Sequence, residues 1–244
     1  VIYSYEHLKV HCKLLLIERR EGRTLKRYAY LGTGNFNERT SRLYTDMGLL
    51  TANEGLTQEV AEVFTHLQDQ KHRPKLHHLL MAPLDLRGGM ERLIDKEIEH
   101  ALSGKPASIM LKLNSLEDRD LISKLYDVTG TKGSSDRIKA ISIVDRYLEH
   151  TRAYVFHNAG KPVVYLASAD WMERNMDRRV EVAYPLLDPL LSAEVVDFLE
   201  LQWRDNVKAR IIDKLQTDPY RKVVKGERLV QAQPAFYAYL SSRA

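Results

Sequence analysis

The chain of 244 residues has one cysteine, Cys12, so no internal disulfide can form and nothing ties the fold to an oxidising compartment. It lacks any apolar run of membrane-spanning length and has no signal-peptide pattern at its start. Aromatic residues are few, at 8%, and do not alternate with basic ones as in a nucleic-acid reader; no nucleic-acid partner is expected. Charge of one sign is also lacking: 37 Lys+Arg stand against 33 Asp+Glu, a net of +4, so overall charge demands no polyanionic partner. Nine histidines are present, but His72, His77 and His78, in a polar connector with Lys71, Arg73 and Lys75, lack the spacing and partners of a zinc site and read as solvated. No metal-ligand set can be named. The 44% hydrophobic content is enough for one or two cored domains.

What the chain does have is one pattern written twice. His11-Cys12-Lys13 runs into the apolar strand Leu14 to Ile17; after a turn come Gly32-Thr33-Gly34-Asn35 and, eleven positions after Asn35, Asp46. His150-Thr151-Arg152 runs into Ala153 to Phe156; after a turn come Ala167-Ser168-Ala169-Asp170 and, eleven positions on, Glu181. The distance from His to Asn or Asp is 24 positions in one copy and 20 in the other, the difference lying in the turns. One such motif on a strand is an ordinary polar face. Two copies point to a pair of imidazoles meeting across a pseudo-twofold axis.

Strand residues two apart share a face, so His11 projects with Lys13 and His150 with Arg152. A neutral imidazole is a competent nucleophile toward phosphorus, and a second can act on the leaving oxygen. The cations would stabilise charge on the non-bridging oxygens. The glycines of Gly32-Thr33-Gly34-Asn35 allow close backbone approach to a phosphate, with the Asn35 amide as a neutral donor. Asp46 and Glu181 are each suited to accept an imidazole N–H and so fix a tautomer. Cys12 alternates to the opposite face and reads as a small core residue.

Coarse patterning predicts a strand from Tyr3 to Val10, strands Cys12–Ile17 and Arg27–Leu31, a short helix or turn over 37–43, and a strand over 47–50. A helix capped by Thr57 runs to Gln68, with a connector over 71–78. Further on come a helix from Asp85 or Leu86 to Leu102, a strand over 108–113 and a helix over 117–126. A strand over 138–144 and a hairpin of Arg152–Phe156 with Val163–Ala167 follow. Asp188-Pro189 opens a helix to about Arg204, and a last helix lies near 229–241. Helices and strands alternate, so the expected class is mixed α/β.

The stretches Leu8 to Ile17, Tyr30 to Asn37 and Arg42 to Asp46 resemble the first type of bacterial polyphosphate kinase. So do Leu148 to Arg152, Ser168 to Met172, Arg174-Asn175 and Arg178 to Val182. The resemblance implies two phospholipase D-like domains related by a pseudo-twofold, the first incomplete: the latter part of one over 1–78, and the other over 79–244. It implies reversible transfer of the terminal phosphate of ATP to polyphosphate through a phosphohistidine, with Mg2+, in a cytoplasmic enzyme. It leaves open a homo-oligomer and peripheral membrane attachment of a longer parent. By position the phosphorylated histidine falls on His11, the nucleotide-contacting tyrosine on Tyr44, and the second histidine, also an ATP contact, on His150. Lys13, Asn35, Arg152 and Asp170 match phosphate-facing positions. Arg39 and Arg174 occupy matching places suited to phosphate or to helix-surface ion pairs.

Three departures stand out. Many relatives have a histidine where Tyr30 stands. The family's strand with an ATP-contacting Arg-Gly and cysteine-containing loop has no counterpart near 127–133, where a segment is expected to be missing. The family's long N-terminal region is absent, so the chain reads as a fragment. Alternatives are a phospholipase D-like phosphodiesterase and an inactive polyanion-binding fragment.

Overall fold

In this computed structural model, residues 7–128 and 138–243 are described; the strand expected over residues 3–10 lies partly outside them, and the join near 127–133 largely so. Strand β1 (Lys9–Val10) precedes His11, and the chain then enters a long hairpin of β2 (Lys13–Glu21) and β3 (Thr24–Gly32), antiparallel along its whole length. Gly22 turns it at φ +63, a conformation that side chains disfavour. Helix α1 (Glu38–Ser41) is capped by the Asn37 side chain, and β4 (Tyr44–Thr45) and β5 (Gly48–Thr51) follow. Strand β5 pairs with β3 to complete a three-stranded sheet.

Helix α2 (Glu54–Gln68) covers this sheet with Leu56, Val60 and Val63. It starts earlier than the apolar pattern predicts: Asn53, not Thr57, is the cap, accepting the N–H of Leu56, while Thr57 turns its hydroxyl onto the Asn53 carbonyl. A side chain that satisfies a free N–H of the first turn outcompetes one already inside the helix. The connector is also less solvated than predicted. Buried Glu59 accepts the N–H groups of His77, His78 and Leu79 at 2.8–3.1 Å and pairs with the His78 ring at 2.7 Å; His72 pairs with Glu62 at 2.7 Å, and only His77 stays exposed. The α2 carboxylates fasten the connector to the helix.

Beyond it lie β6 (Leu80–Ala82), α3 (Leu86–Leu102), β7 (Ile109–Lys112), α4 (Arg119–Val128), β8 (Ile141–Ile143), β9 (Leu148–Glu149), β10 (Arg152–Phe156), β11 (Val163–Ala167), α5 (Glu173–Asp177) and β12 (Arg179–Pro185). Helix α6 (Pro189–Trp203), capped by Asp188, β13 (Ala209–Ile211) and α7 (Ala232–Ser241) end the fold. The hairpin β10–β11 has the predicted bounds, and Pro234 lies inside the first turn of α7. The second sheet runs β1-β12-β11-β10-β7, with β6 also on β12; β13 pairs with β8 apart from it.

Strand β10 shows how one sheet serves two cores. Ala153 and Val155 face a cluster shared with Leu31, Leu56, Val60 and Val63 of the first sheet and its helix; Tyr154 and Phe156 face α3 and α4 through Met90, Ile94 and Leu121. In the first sheet, Leu14 and Leu16 join the shared cluster, whereas Leu15 and Ile17 are 43% and 51% exposed. The class is mixed α/β with one core between the two sheets.

Two short parallel pairings stitch the repeats together. Strand β1 pairs with β12 (Lys9↔Arg179, Val10↔Val180), and β9 pairs with β4 (Leu148↔Tyr44, Glu149↔Thr45). Each pairing brings the residues just before a histidine beside those just before an acid from the other repeat. The pseudo-twofold axis runs between them.

Candidate active site

The crossing of the repeats decides which acid meets which imidazole. Nδ1 of His11 lies 2.9 Å from the Glu181 carboxylate, and Nδ1 of His150 lies 2.8 and 3.0 Å from the two Asp46 oxygens. Each histidine is therefore held by the acid of the opposite repeat. Donation of Nδ1–H to a carboxylate leaves Nε2 as the lone-pair nitrogen in both rings.

The acids are themselves fixed in matching ways. The Thr33 hydroxyl donates to Asp46 at 2.7 Å and accepts the Met47 N–H at 3.0 Å. The Ser168 hydroxyl donates to Glu181 and accepts the Val182 N–H at 3.1 Å. Asn175 adds a bond of 2.6 Å to Glu181, which is fully buried. Both hydroxyls stand two residues before the Asn or Asp of the motif. Sequence reasoning quoted them without a role; the signal was there, a hydroxyl thirteen residues before each acid.

Gly34 has a reason more immediate than phosphate approach. A Cβ there would lie 2.2 Å from the carboxyl carbon and Oδ2 of Asp46. Gly34→Ala is therefore expected to push Asp46 off His150, lowering the melting temperature and shifting the His150 imidazole resonances in the NMR spectrum. Unchanged resonances would show that Asp46 does not depend on the glycine.

The cations are buried beside the rings, but differently. Lys13 Nζ is 3.2 Å from both nitrogens of His11. In the ring plane that position would collide with Cε1, so the ammonium rides over the ring face. Burial pushes the lysine down to about 8, with Glu181 opposing part of the fall. Arg152 places NH1 2.9 Å from Nε2 of His150 and gives Nε and NH2 to Asp170 at 3.3 and 2.8 Å. Burial raises the Asp170 carboxyl, yet the guanidinium and the N–H groups of Asn114 and Ser115 outweigh it and hold Asp170 below the usual carboxylate range. Asn35 is exposed and makes no side-chain hydrogen bond among the described residues.

Tyr44 packs its ring 4.9 Å from that of His150, at a 46° tilt. It also lines a cavity of about 380 Å3, together with Leu191, Val195, Phe198 and Phe236. Arg39 and Arg174 are exposed and make no ion pair among the described residues; the pair on α1 is Arg42 with Glu38. Cys12 packs on the shared core, and burial, with Glu181 adding to it, raises its thiol to about 12. It packs against the core as expected, although it lies in the step between β1 and β2 rather than within a strand.

One polar group went unnoticed in the sequence. Lys112 on β7, buried, pairs with Glu149 at 3.1 Å and donates to the Thr151 carbonyl at 3.2 Å; Glu149 also accepts Gln202 and Gln233 at 2.5 and 2.8 Å. It braces both flanks of His150, and an isolated lysine in a strand gives no sign of it.

A resident Mg2+ does not fit this side-chain set. Among the described residues no group of three His, Cys, Asp or Glu could hold a metal ion, and Asp46, Asp170 and Glu181 each serve an imidazole or guanidinium.

Two imidazoles, each held by an acid from the opposite repeat and flanked by a buried cation, form a duplicated histidine site. The family profile described as Polyphosphate kinase C-terminal domain 1 matches residues 1–73, and that for Polyphosphate kinase C-terminal domain 2 matches 79–129 and 128–233. The chain belongs to the polyphosphate kinase family. It is 46% identical to the polyphosphate kinase of Salmonella typhimurium over 261 aligned positions and 45% identical to that of Escherichia coli K12, covering 99% of this chain and 38% of each relative. The crystal structure of polyphosphate kinase from Porphyromonas gingivalis superposes with a TM-score of 0.91 at 37% identity, over 99% of this chain and 40% of that one. The chain thus spans well under half the length of the relatives it matches.

Proposed function

We propose that this chain carries the chemical centre for reversible transfer of the terminal phosphate of ATP to polyphosphate, with His11 as the carrier. The observation that supports it best is the His11–Glu181 pair at 2.9 Å with Lys13 over the ring. Glu181 holds the Nδ1 proton, so the Nε2 lone pair attacks the γ-phosphorus. An N–P bond forms, the bond from phosphorus to the β,γ-bridging oxygen breaks, and that oxygen leaves on ADP with the electron pair. A terminal oxygen of polyphosphate then attacks the phosphoimidazole, and His11 leaves with the N–P electrons.

Lys13 neutralises the non-bridging oxygens. Arg152 supplies N–H donors to the leaving or entering oxygen, with His150 holding the guanidinium against it. Tyr44, beside His150, contacts the nucleotide. Mg2+ enters bound to the nucleotide phosphates as part of the substrate. On this reading the two units divide near residue 78, and the protein works in the cytoplasm; among the described residues no helix is long and apolar enough to cross a membrane.

Incubation with γ-labelled ATP and Mg2+, followed by mapping of acid-labile, base-stable label, tests the proposal. Label on His11 supports it; label absent from this chain and from longer proteins that contain it favours the hydrolase reading. The labelling rate is expected to fall as pH rises through about 8, because the Lys13 ammonium is charged below that value and neutral above it. Lys13→Arg keeps its charge throughout and should remove that alkaline limb. An alkaline limb that persists in Lys13→Arg would exclude Lys13 as its source.

A further inference from the structure

The two halves of the site are built alike and charged differently. Lys13 pairs across its hairpin with Gly32, and Arg152 pairs across its own with Ala167. Asn35 and Asp170 each stand three residues beyond those partners, in the same register position. One carries a carboxylate and the other an amide.

The consequence is local. Asp170, fastened by the Asn114 N–H at 2.7 Å, takes Nε and NH2 of Arg152 and leaves NH1 aimed at Nε2 of His150. A guanidinium does not deprotonate, so that lone pair stays engaged in a charge-assisted hydrogen bond. Across the axis, Lys13 makes no ion pair within 4 Å among the described residues, and its ammonium rides over the His11 ring, away from the in-plane lone pair. The carboxylate nearest His11 is Glu181, already bonded to the ring, Ser168 and Asn175.

We infer that the difference between Asn35 and Asp170 breaks the pseudo-twofold. Asp170 clamps Arg152 onto Nε2 of His150 and withholds that imidazole from phosphorus; Asn35, by leaving Lys13 unclamped, keeps His11 as the acceptor. This rests on the phosphoryl-transfer reading above. Asp170 acts through Arg152 and is a positioning residue.

Potassium phosphoramidate phosphorylates imidazoles without ATP and therefore reads each ring directly. Peptide mapping of the treated chain should place most label on His11. Asp170→Asn keeps an oxygen for the Asn114 N–H but frees Arg152, and should raise the rate at His150 about tenfold, the scale of a lost charge-assisted bond, with His11 unchanged. Asn35→Asp should lower the rate at His11 by drawing Lys13 into a pair on the ring. A His150 rate that does not move in a folded Asp170→Asn chain, or a His11 rate that does not move in Asn35→Asp, would overturn the inference. Should Asp170→Asn fail to fold, Asn35→Asp, at an exposed position, decides alone. The expected phosphoramidate pattern without any labelling from ATP would support this assignment and overturn the kinase reading, so the two fail separately.

Discussion

His11→Ala is expected to abolish the phosphoenzyme formed from γ-labelled ATP. Removing a covalent nucleophile lowers rates by on the order of a millionfold where it has been dissected, so no residual label should be detectable. The neighbours cannot take over. Cys12 packs on the shared core with its thiol raised to about 12, leaving essentially no thiolate. The Nε2 of His150 is engaged by Arg152 at 2.9 Å. His150→Ala, by contrast, should leave the Glu181–His11 pair in place and retain slow labelling of His11. Label that persists in His11→Ala would end the assignment; its stability to acid would then separate a carboxyl or thiol carrier from a second histidine.

Glu181→Gln carries the second large effect, and it tests the crossing of the repeats. The carboxylate accepts from His11, Ser168 and Asn175 with no exposed surface of its own. An amide of the same size has one acceptor oxygen for three donors and turns an N–H toward at least one of them. His11 loses the acceptor that fixes its tautomer, and labelling should fall about 10²–10⁴-fold, the range of a general-base contribution. One orphaned buried donor costs about 1–3 kcal/mol, so the variant should still fold with a lowered melting temperature. Undiminished labelling of His11 would mean that the acid from the other repeat is structural only.

The parts legible in the sequence were those governed by local periodicity. The β10–β11 hairpin, the span of α3 and the Asp188-Pro189 opening of α6 follow from short-range pattern, and each is found. The start of α2 was missed because the expected cap was Thr57 alone, whereas Asn53, one turn earlier, has the extended backbone that lets its side chain accept the Leu56 N–H. At the site, the strand period correctly put His11 with Lys13 and His150 with Arg152. It could not reveal that Asp46 serves His150 and Glu181 serves His11. An offset of eleven residues measures distance within a repeat, whereas the partners lie 104 and 170 positions apart and meet only through the β1–β12 and β4–β9 pairings. The same limit hid Lys112, whose partner Glu149 is on another strand.

The crossed pairing makes the repeat a half-object. Cut from its partner, either repeat would keep a histidine without the acid that holds it, and neither ring would have its tautomer set. An unfused unit of this design would be inert until two copies met, and would gain both centres at once on meeting. Fusing two such units into one chain makes that encounter permanent. It also frees each copy to change alone, which is how one register position can hold Asn35 and its mate Asp170.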